Sequence, residues 1–150
     1  MLAAAEILRT DCNIDPNIWS IPGINQLHRN GIETERWNIT HPSDKPRLSY
    51  LSRIMEKYRG PAVISTDYVR AYPEQIRRLI PGKTTILGTD GFGRSDTREN
   101  LRRFFEVDRY YIVLSVLSAL RENGKVSGDT VKQAMKKYGL DPEKLNPAAL

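Results

Sequence analysis

The sequence contains very little cysteine and histidine, and this scarcity excludes several kinds of site. Of its 150 residues, one is cysteine and two are histidine. Cys12 therefore has no partner for an internal disulfide, and the neighbouring Asp11 disfavours its reactive thiolate form. His28 and His41 do not have the spacing of a zinc site, and the aspartates do not follow a calcium-loop pattern. We predict no metal site and an unreactive cysteine.

The sequence also lacks long apolar runs. No stretch approaches the roughly 20 residues that a membrane-spanning helix needs. The opening segment, 1–8, is apolar, but it is short, lacks a basic flank and contains Glu6, so it is typical of a helix face rather than a secretion signal. Hydrophobic residues make up 39% of the chain and charged residues 27%, an ordinary globular composition. We expect a cytoplasmic protein with a single domain over residues 1–150.

Short apolar segments alternate with amphipathic segments along the chain. The ranges 61–65 and 84–87 are predicted to be buried strands, and 18–21 to be a further short strand. Helical periodicity is found at 2–11, 48–58, 67–80 with a kink at Pro73, 101–105, 113–120 as the longest helix, and 131–138. The polar range 23–46 is predicted to be irregular. This alternation favours an α/β fold with a parallel sheet covered by helices on both faces.

In such folds the functional loops follow the carboxyl ends of the strands, which here selects 66–68 and 88–96. The glycine-rich second loop leads into a helix amino terminus, an arrangement that binds phosphates. However, its glycines do not follow the dinucleotide-binding order, and no Lys-Ser or Lys-Thr pair comes after them. Asp96 and Glu99 are predicted to form a capping box that places negative charge at the helix start. We favour a structural loop and keep a phosphate site as the weaker alternative.

A hydrolytic centre is favoured even less. A histidine base needs a nucleophile within reach and a group that orients it. Both histidines fall in the range predicted to be irregular, and Ser95 does not stand in a nucleophile-elbow motif. We predict that the chain carries no complete catalytic centre.

One long run of residues is specific enough to indicate a family. The run 88–108 resembles the C-terminal domain of the homodimeric, thiamine-diphosphate-dependent pyruvate dehydrogenase, the first component of the pyruvate dehydrogenase complex. Shorter segments match the same family: Ala4–Arg9, Trp19–Ser20, Glu35–Asn38, His41–Pro42, Pro46–Arg47 and Ser65–Tyr68. The resemblance extends over the whole chain.

The resemblance implies a transketolase C-terminal-like fold, with a parallel or mixed sheet between helices. Members of this family place a strand just before the helix that opens this chain, so the first strand is expected to be missing and the chain to be a fragment. The whole enzyme decarboxylates pyruvate on thiamine diphosphate with magnesium. It then transfers the acetyl group to the lipoyl group of the partner dihydrolipoyl acetyltransferase.

The resemblance further implies that the cofactor sites belong to preceding domains. The family's cofactor signature, Gly-Asp-Gly followed at roughly 25 to 30 residues by asparagine, is absent here. We therefore expect no catalytic, cofactor-binding or metal-binding residue in this chain. The loop residues are instead expected to contact the remaining domains or the second subunit of the dimer: Asp67, Tyr68, Asp90, Phe92, Arg94, Ser95 and Asp96.

A second hypothesis starts from charge. The chain has 23 basic and 18 acidic residues, a formal net charge of +5. Two basic clusters stand out: Arg94, Arg98, Arg102 and Arg103, then Lys132, Lys136, Lys137 and Lys144. They are compatible with a free-standing module that binds nucleic acid or an acidic protein. We favour the structural domain, because the run 88–108 is far more specific than a basic surface.

Overall fold

The computed structural model describes residues 1–149, and it contains seven α-helices and one two-stranded sheet within that range. In chain order the elements are α1 (Leu2–Cys12), α2 (Ile24–Thr40), α3 (Tyr50–Met55), β1 (Ala62–Ser65), α4 (Ala71–Glu74), a 3-10 turn (Arg77–Leu79), β2 (Thr84–Leu87), α5 (Arg98–Phe104), α6 (Arg109–Glu122), α7 (Gly128–Lys137) and a second 3-10 turn (Pro147–Ala149).

The strands β1 and β2 are parallel, as the alternating pattern predicts. Their register pairs Ala62 with Thr84 and Ser65 with Leu87. A parallel pair needs a crossover connection, and here α4 and the first 3-10 turn provide it. Both predicted strands are confirmed within one residue. However, β1 is half-buried along its length rather than fully buried.

Helices pack on both faces of the sheet, so the predicted α/β architecture is confirmed. Because strand side chains alternate between faces and the register is known, Leu87 lies on the opposite face from Ala62 and Ile64. Leu87 packs against a core cluster formed by Ala4, Leu8, Ile112, Val113, Leu117 and Ala134, which belong to α1, α6 and α7. Ala62 and Ile64 pack against a second cluster formed by Ile24, Leu51, Ile76, Leu79 and Ile80.

Two predictions of local structure are wrong. The range 18–21 is not a strand, since β1 and β2 pair only with each other in the described part of the chain. The range 23–46 is not irregular, because most of it forms α2, a helix of 17 residues that is longer than the 14-residue α6. One side of α2, marked by Ile24 and Gly31, is buried against the body, whereas the exposed sides are mostly polar but include Ile32 and Ile39.

The predicted helix over 67–80 is shorter than its periodicity indicates. Pro73 is buried within the four-residue α4, and the chain continues as a 3-10 turn. Ile76 is fully buried as expected, whereas Tyr68, which the periodicity placed inward, is 69% exposed in the loop before α4. Proline removes a helical hydrogen-bond donor, which accounts for the broken element.

The ends of the helices follow ordinary capping chemistry. The Asp108 carboxylate accepts hydrogen bonds from the backbone N–H groups of Tyr110 and Tyr111 at the start of α6. Gly124 and Gly139, predicted as helix stops, follow α6 and α7 with φ of 68° and 60°, the left-handed conformation that glycine adopts readily. Within residues 1–149, no helix combines the length and the apolar composition required to cross a bilayer.

Candidate functional site

The loops that follow β1 and β2 are joined to each other by their backbones. The Thr89 N–H donates to the Tyr68 carbonyl oxygen at 2.9 Å, and the Thr89 hydroxyl donates to the Asp67 carbonyl oxygen at 2.9 Å. Gly88 permits this approach, since a Cβ there would lie only 2.7 Å from the Tyr68 carbonyl oxygen. The carboxyl-end rule therefore selected two segments that do meet.

Asp90 ties the same two loops together through its side chain. One carboxylate oxygen accepts a hydrogen bond from the Arg70 backbone N–H at 3.0 Å, and the other pairs with the Arg70 guanidinium. The Arg70 side chain and backbone N–H hold the pKa of the Asp90 carboxyl below its usual range. Asp90 is consequently a structural link between the loops.

Asp67 links the β1 loop to helix α5. Its two carboxylate oxygens accept hydrogen bonds from the Arg102 guanidinium at 3.2 and 2.7 Å, a bidentate geometry. The Arg102 contact is the main reason why the pKa of the Asp67 carboxyl is lowered. Both side chains are substantially exposed, so the pair fixes geometry more than it adds stability.

The start of α5 differs from the predicted capping box. Thr97, not Asp96, is the N-cap, and its hydroxyl accepts a hydrogen bond from the Asn100 backbone N–H at 3.3 Å. Asp96 accepts from the Thr97 N–H at 2.6 Å and from the Asn100 side-chain amide at 2.8 Å, and these bonds lower the pKa of its carboxyl. The prediction was wrong by one residue, because Thr97 itself has the extended backbone of a cap. The Asp96 carboxylate still places negative charge beside the start of α5, which disfavours a phosphate there.

Several aromatic and aliphatic side chains of these loops point into solvent. Phe92 is 80% exposed, Tyr68 69% and Val69 50%. Arg94 is also exposed, and its guanidinium lies 4.1 Å from the centre of the Phe104 ring, a cation–π contact with α5. Ser95 is exposed. We call the surface formed by 67–70 and 90–96 the carboxyl-edge surface.

The last residues of the described chain support the glycine loop from behind. Gly91 has φ of 104°, and a Cβ there would lie 2.7 Å from the Pro147 carbonyl oxygen. Upstream, the Lys144 ammonium donates to the Phe104 carbonyl oxygen at 2.6 Å and lies 3.1 Å from the Glu106 carboxylate. These contacts could not be predicted from local sequence, in which Lys144 is marked only as a member of a basic cluster.

The residues at the carboxyl edge do not fit thiamine diphosphate or magnesium. Asp67, Asp90 and Asp96 are each occupied by hydrogen bonds within the chain. Residues 1–149 contain no group of three or more histidine, cysteine or carboxylate side chains that could hold a metal ion. No cofactor-dependent step can therefore be assigned to this surface.

The histidines and the cysteine lie elsewhere. Nδ1 of His28 is 3.0 Å from the Gln75 carbonyl oxygen, and Nδ1 of His41 is 2.9 Å from that of Trp37, so each has a structural partner other than Ser95. Burial, followed by the charge of Asp11, raises the pKa of the Cys12 thiol, in the direction expected from the sequence. These groups do not assemble a nucleophile and its base.

Comparison with known proteins gives a consistent result. Residues 1–108 match the family model described as "Transketolase-like TK C-terminal domain". Over its full length the chain is 48% identical to the pyruvate dehydrogenase E1 component of Cupriavidus necator, of which it covers 17%. Over 96% of its length it is 50% identical to the same component of Pseudomonas aeruginosa and 43% to that of Escherichia coli K12, covering 16% of each. The chain thus spans about a sixth of the length of these relatives.

Proposed function

We propose that this chain, which belongs to the transketolase-like C-terminal domain family, is the C-terminal structural domain of a pyruvate dehydrogenase E1 component. In this role residues 1–150 form one domain that seats against the remaining domains of the parent chain and supports its homodimer. The parent enzyme acts in the cytoplasm. It decarboxylates pyruvate oxidatively and acetylates the lipoyl group of a dihydrolipoyl acetyltransferase, with thiamine diphosphate and magnesium held by its other domains.

The carboxyl-edge surface is the observation that supports this proposal. Its three carboxylates are all used to hold the loops in place. Its most exposed large apolar side chain is Phe92, an aromatic group on a loop that is fixed at Gly88, Asp90 and Gly91. Fixed loops that present apolar side chains favour a permanent contact with another protein surface. A reaction site would instead need polar groups that are free to bind substrate.

The first experiment tests whether the chain is catalytically inert. We expect calorimetry with the purified chain to detect no binding of thiamine diphosphate, with or without magnesium. We also expect no pyruvate-dependent reduction of an artificial electron acceptor. Turnover by the purified chain would contradict the proposal directly.

The second experiment tests the seating surface. The chain is co-expressed with the remaining domains of the Pseudomonas aeruginosa relative, produced as a separate polypeptide, and co-purification is measured. We expect Phe92→Ser and Tyr68→Ser to reduce co-purification. Ile39→Ser, a matched loss of an exposed apolar side chain on α2, should leave it unchanged. Equal co-purification of all three variants would show that another surface makes the contact.

The alternative of a basic binding module is weakened by the ion pairs. Of the eight cations in its two clusters, Arg102, Arg103, Lys137 and Lys144 pair with carboxylates of the chain. Such a module predicts tight binding with a steep salt dependence. An absence of gel shift with a nucleic acid probe at low salt would eliminate its nucleic-acid form.

A further inference from the structure

Helix α2 has one side that packs on the body of the molecule. Gly31 lies against Leu79, so closely that a Cβ would be 2.8 Å from the Leu79 Cδ1 atom. His28 contacts the Gln75 carbonyl oxygen, and Glu35 forms an ion pair with Arg78. These contacts fix the rotation of the helix about its axis. They therefore determine which residues face away from the body.

An exposed side of α2, next to the side that packs on the body, carries a stripe of alternating cations and isoleucines. Its members are three, four and three positions apart, a spacing that keeps them on one side of a helix. They are Arg29, Ile32, Arg36 and Ile39. Ile39 is 74% exposed and Ile32 is 45% exposed. We call these four residues the α2 stripe.

The two cations of the α2 stripe form no ion pair within the described chain. Neither Arg29 nor Arg36 forms an ion pair with any carboxylate of residues 1–149. Glu33 lies at the border of the stripe but pairs with neither arginine, and Glu35 on the other border is occupied by Arg78. The α2 stripe thus presents two exposed apolar side chains that alternate with two arginines.

This pattern defines the chemistry of the partner. A second copy of the chain would bring arginines against arginines, and like charges in contact are unfavourable. A nucleic acid would use the arginines but would leave the isoleucines without an apolar partner. A helix with apolar side chains seven residues apart and carboxylates beside them would satisfy both the isoleucines and the arginines. Its apolar spacing would match that of Ile32 and Ile39, which are also seven residues apart, about 10 Å along the helix axis.

We infer that the α2 stripe binds an acidic amphipathic helix of another polypeptide. The arginines pair with its carboxylates, and the isoleucines pack against its apolar residues. The stripe lies away from the carboxyl-edge surface. Helix α2 contacts Arg78 and Leu79, which come before the amino end of β2, whereas the carboxyl-edge surface follows the carboxyl ends of the strands. Both surfaces can be occupied together, and the inference does not rest on the proposed function.

The test measures binding of a designed probe to the full 150-residue chain. The probe is a fluorescein-labelled helical peptide of about 20 residues, with leucine at each seventh position flanked by glutamate. A matched peptide carries lysine in place of glutamate. We expect fluorescence anisotropy to show binding of the acidic peptide only, weakening as salt is raised.

Variants then locate the binding surface. We expect Arg36→Glu and Ile39→Ser each to weaken binding by about tenfold, the first through charge and the second through lost apolar contact. Lys132→Glu, an exposed site on α7 that changes the net charge by the same amount as Arg36→Glu, should alter binding by less than about twofold. Circular dichroism verifies that each variant remains folded.

Three results would overturn the inference. The acidic peptide could fail to bind, or Lys132→Glu could weaken it as much as Arg36→Glu, which would indicate general attraction to a basic protein. Sedimentation could show a dimer that Arg36→Glu dissociates, in which case a second copy occupies the stripe. An oligothymidine could displace the peptide through the same residues, which would make the ligand a nucleic acid.

Discussion

The carboxyl-edge surface and the α2 stripe are both exposed, but they use charge in opposite ways. At the carboxyl edge, Asp67 and Asp90 pair with Arg102 and Arg70, Arg94 lies against the Phe104 ring, and Tyr68, Val69 and Phe92 are left in solvent. On α2 the arginines have no carboxylate partner within the described chain. Charges paired within the chain hold a surface in shape, whereas unpaired charges are available to a partner. If that difference holds, disrupting the paired groups at the carboxyl edge should affect stability most, and replacing exposed side chains should affect it least.

The largest effect is expected where the two loops touch. Gly88→Ala places a Cβ within 2.8 Å of backbone atoms of Tyr68 and Arg70, which cannot move without opening the loops. We expect a loss of about 2–3 kcal/mol in the free energy of unfolding, measured by urea denaturation. Gly93→Ala in the same loop is the control, since a Cβ there meets nothing within 4 Å. Equal effects of the two variants would mean that the loops are not fixed at Gly88.

A smaller effect is expected from Asp90→Ala, which removes the acceptor for both the backbone N–H and the side chain of Arg70. We expect a loss of about 1–2 kcal/mol at neutral pH, by the same denaturation assay. Asp15→Ala, which removes a far more exposed pair with Arg9, should cost less than about 0.5 kcal/mol.

The Asp90 effect should also depend on pH in a defined direction. The pKa of the Asp90 carboxyl is lowered in the folded state. The stability that the ionised carboxylate contributes is therefore complete above the unfolded-state pKa of about 3.9, and it is lost as the pH falls through the folded-state pKa. The difference in unfolding free energy between the wild type and Asp90→Ala should therefore shrink as pH falls below about 4. A difference that stays constant in acid would show that the charge of Asp90 contributes nothing.

Breaking the exposed pair between Asp67 and Arg102 should cost less. We expect Asp67→Asn to lower the free energy of unfolding by about 0.5 kcal/mol, with the loss reduced at high salt because the pair is accessible to solvent. Hydrogen exchange should show faster opening of the β1 loop. A loss several times larger would mean that the pair contributes more to stability than its exposure indicates.

The smallest effects on stability are expected from the exposed apolar side chains of the two surfaces. Phe92→Ser and Ile39→Ser should each change the free energy of unfolding by less than about 0.5 kcal/mol, because neither side chain is buried in the chain alone. Their effects on binding should separate, with Phe92→Ser reducing co-purification with the parent domains and Ile39→Ser reducing peptide binding. If either variant impaired both, the two surfaces would not be independent.

The strands β1 and β2 and the ends of α6 and α7 could be predicted from local sequence, whereas α2 could not. β1 and β2 are short apolar segments between breakers, and Gly124 and Gly139 mark helix ends directly. Helix α2 is polar in composition, and one of its buried positions is Gly31, whose apolar contact is made by the distant Leu79, so the sequence does not mark its buried side clearly.

The candidate site shows the same division. The carboxyl-end rule selected both loops, because it depends only on the direction of the strands. The ion-pair partners of its carboxylates could not be predicted from the sequence, since Asp90 pairs with a residue 20 positions away and Asp67 with one 35 positions away. The cap at α5 was misplaced because Asp96 and Thr97 can both serve as caps, and the backbone conformation decides between them.

The packing of Pro147 and Ala148 against Gly91 has a practical consequence for anyone handling this protein. An affinity tag or fluorescent reporter fused after residue 150 would begin within a few residues of the loop that presents Phe92. It would compete with a partner that docks on this loop, and the reduced binding would be mistaken for a loss of assembly. For interaction measurements the fusion belongs at the other terminus.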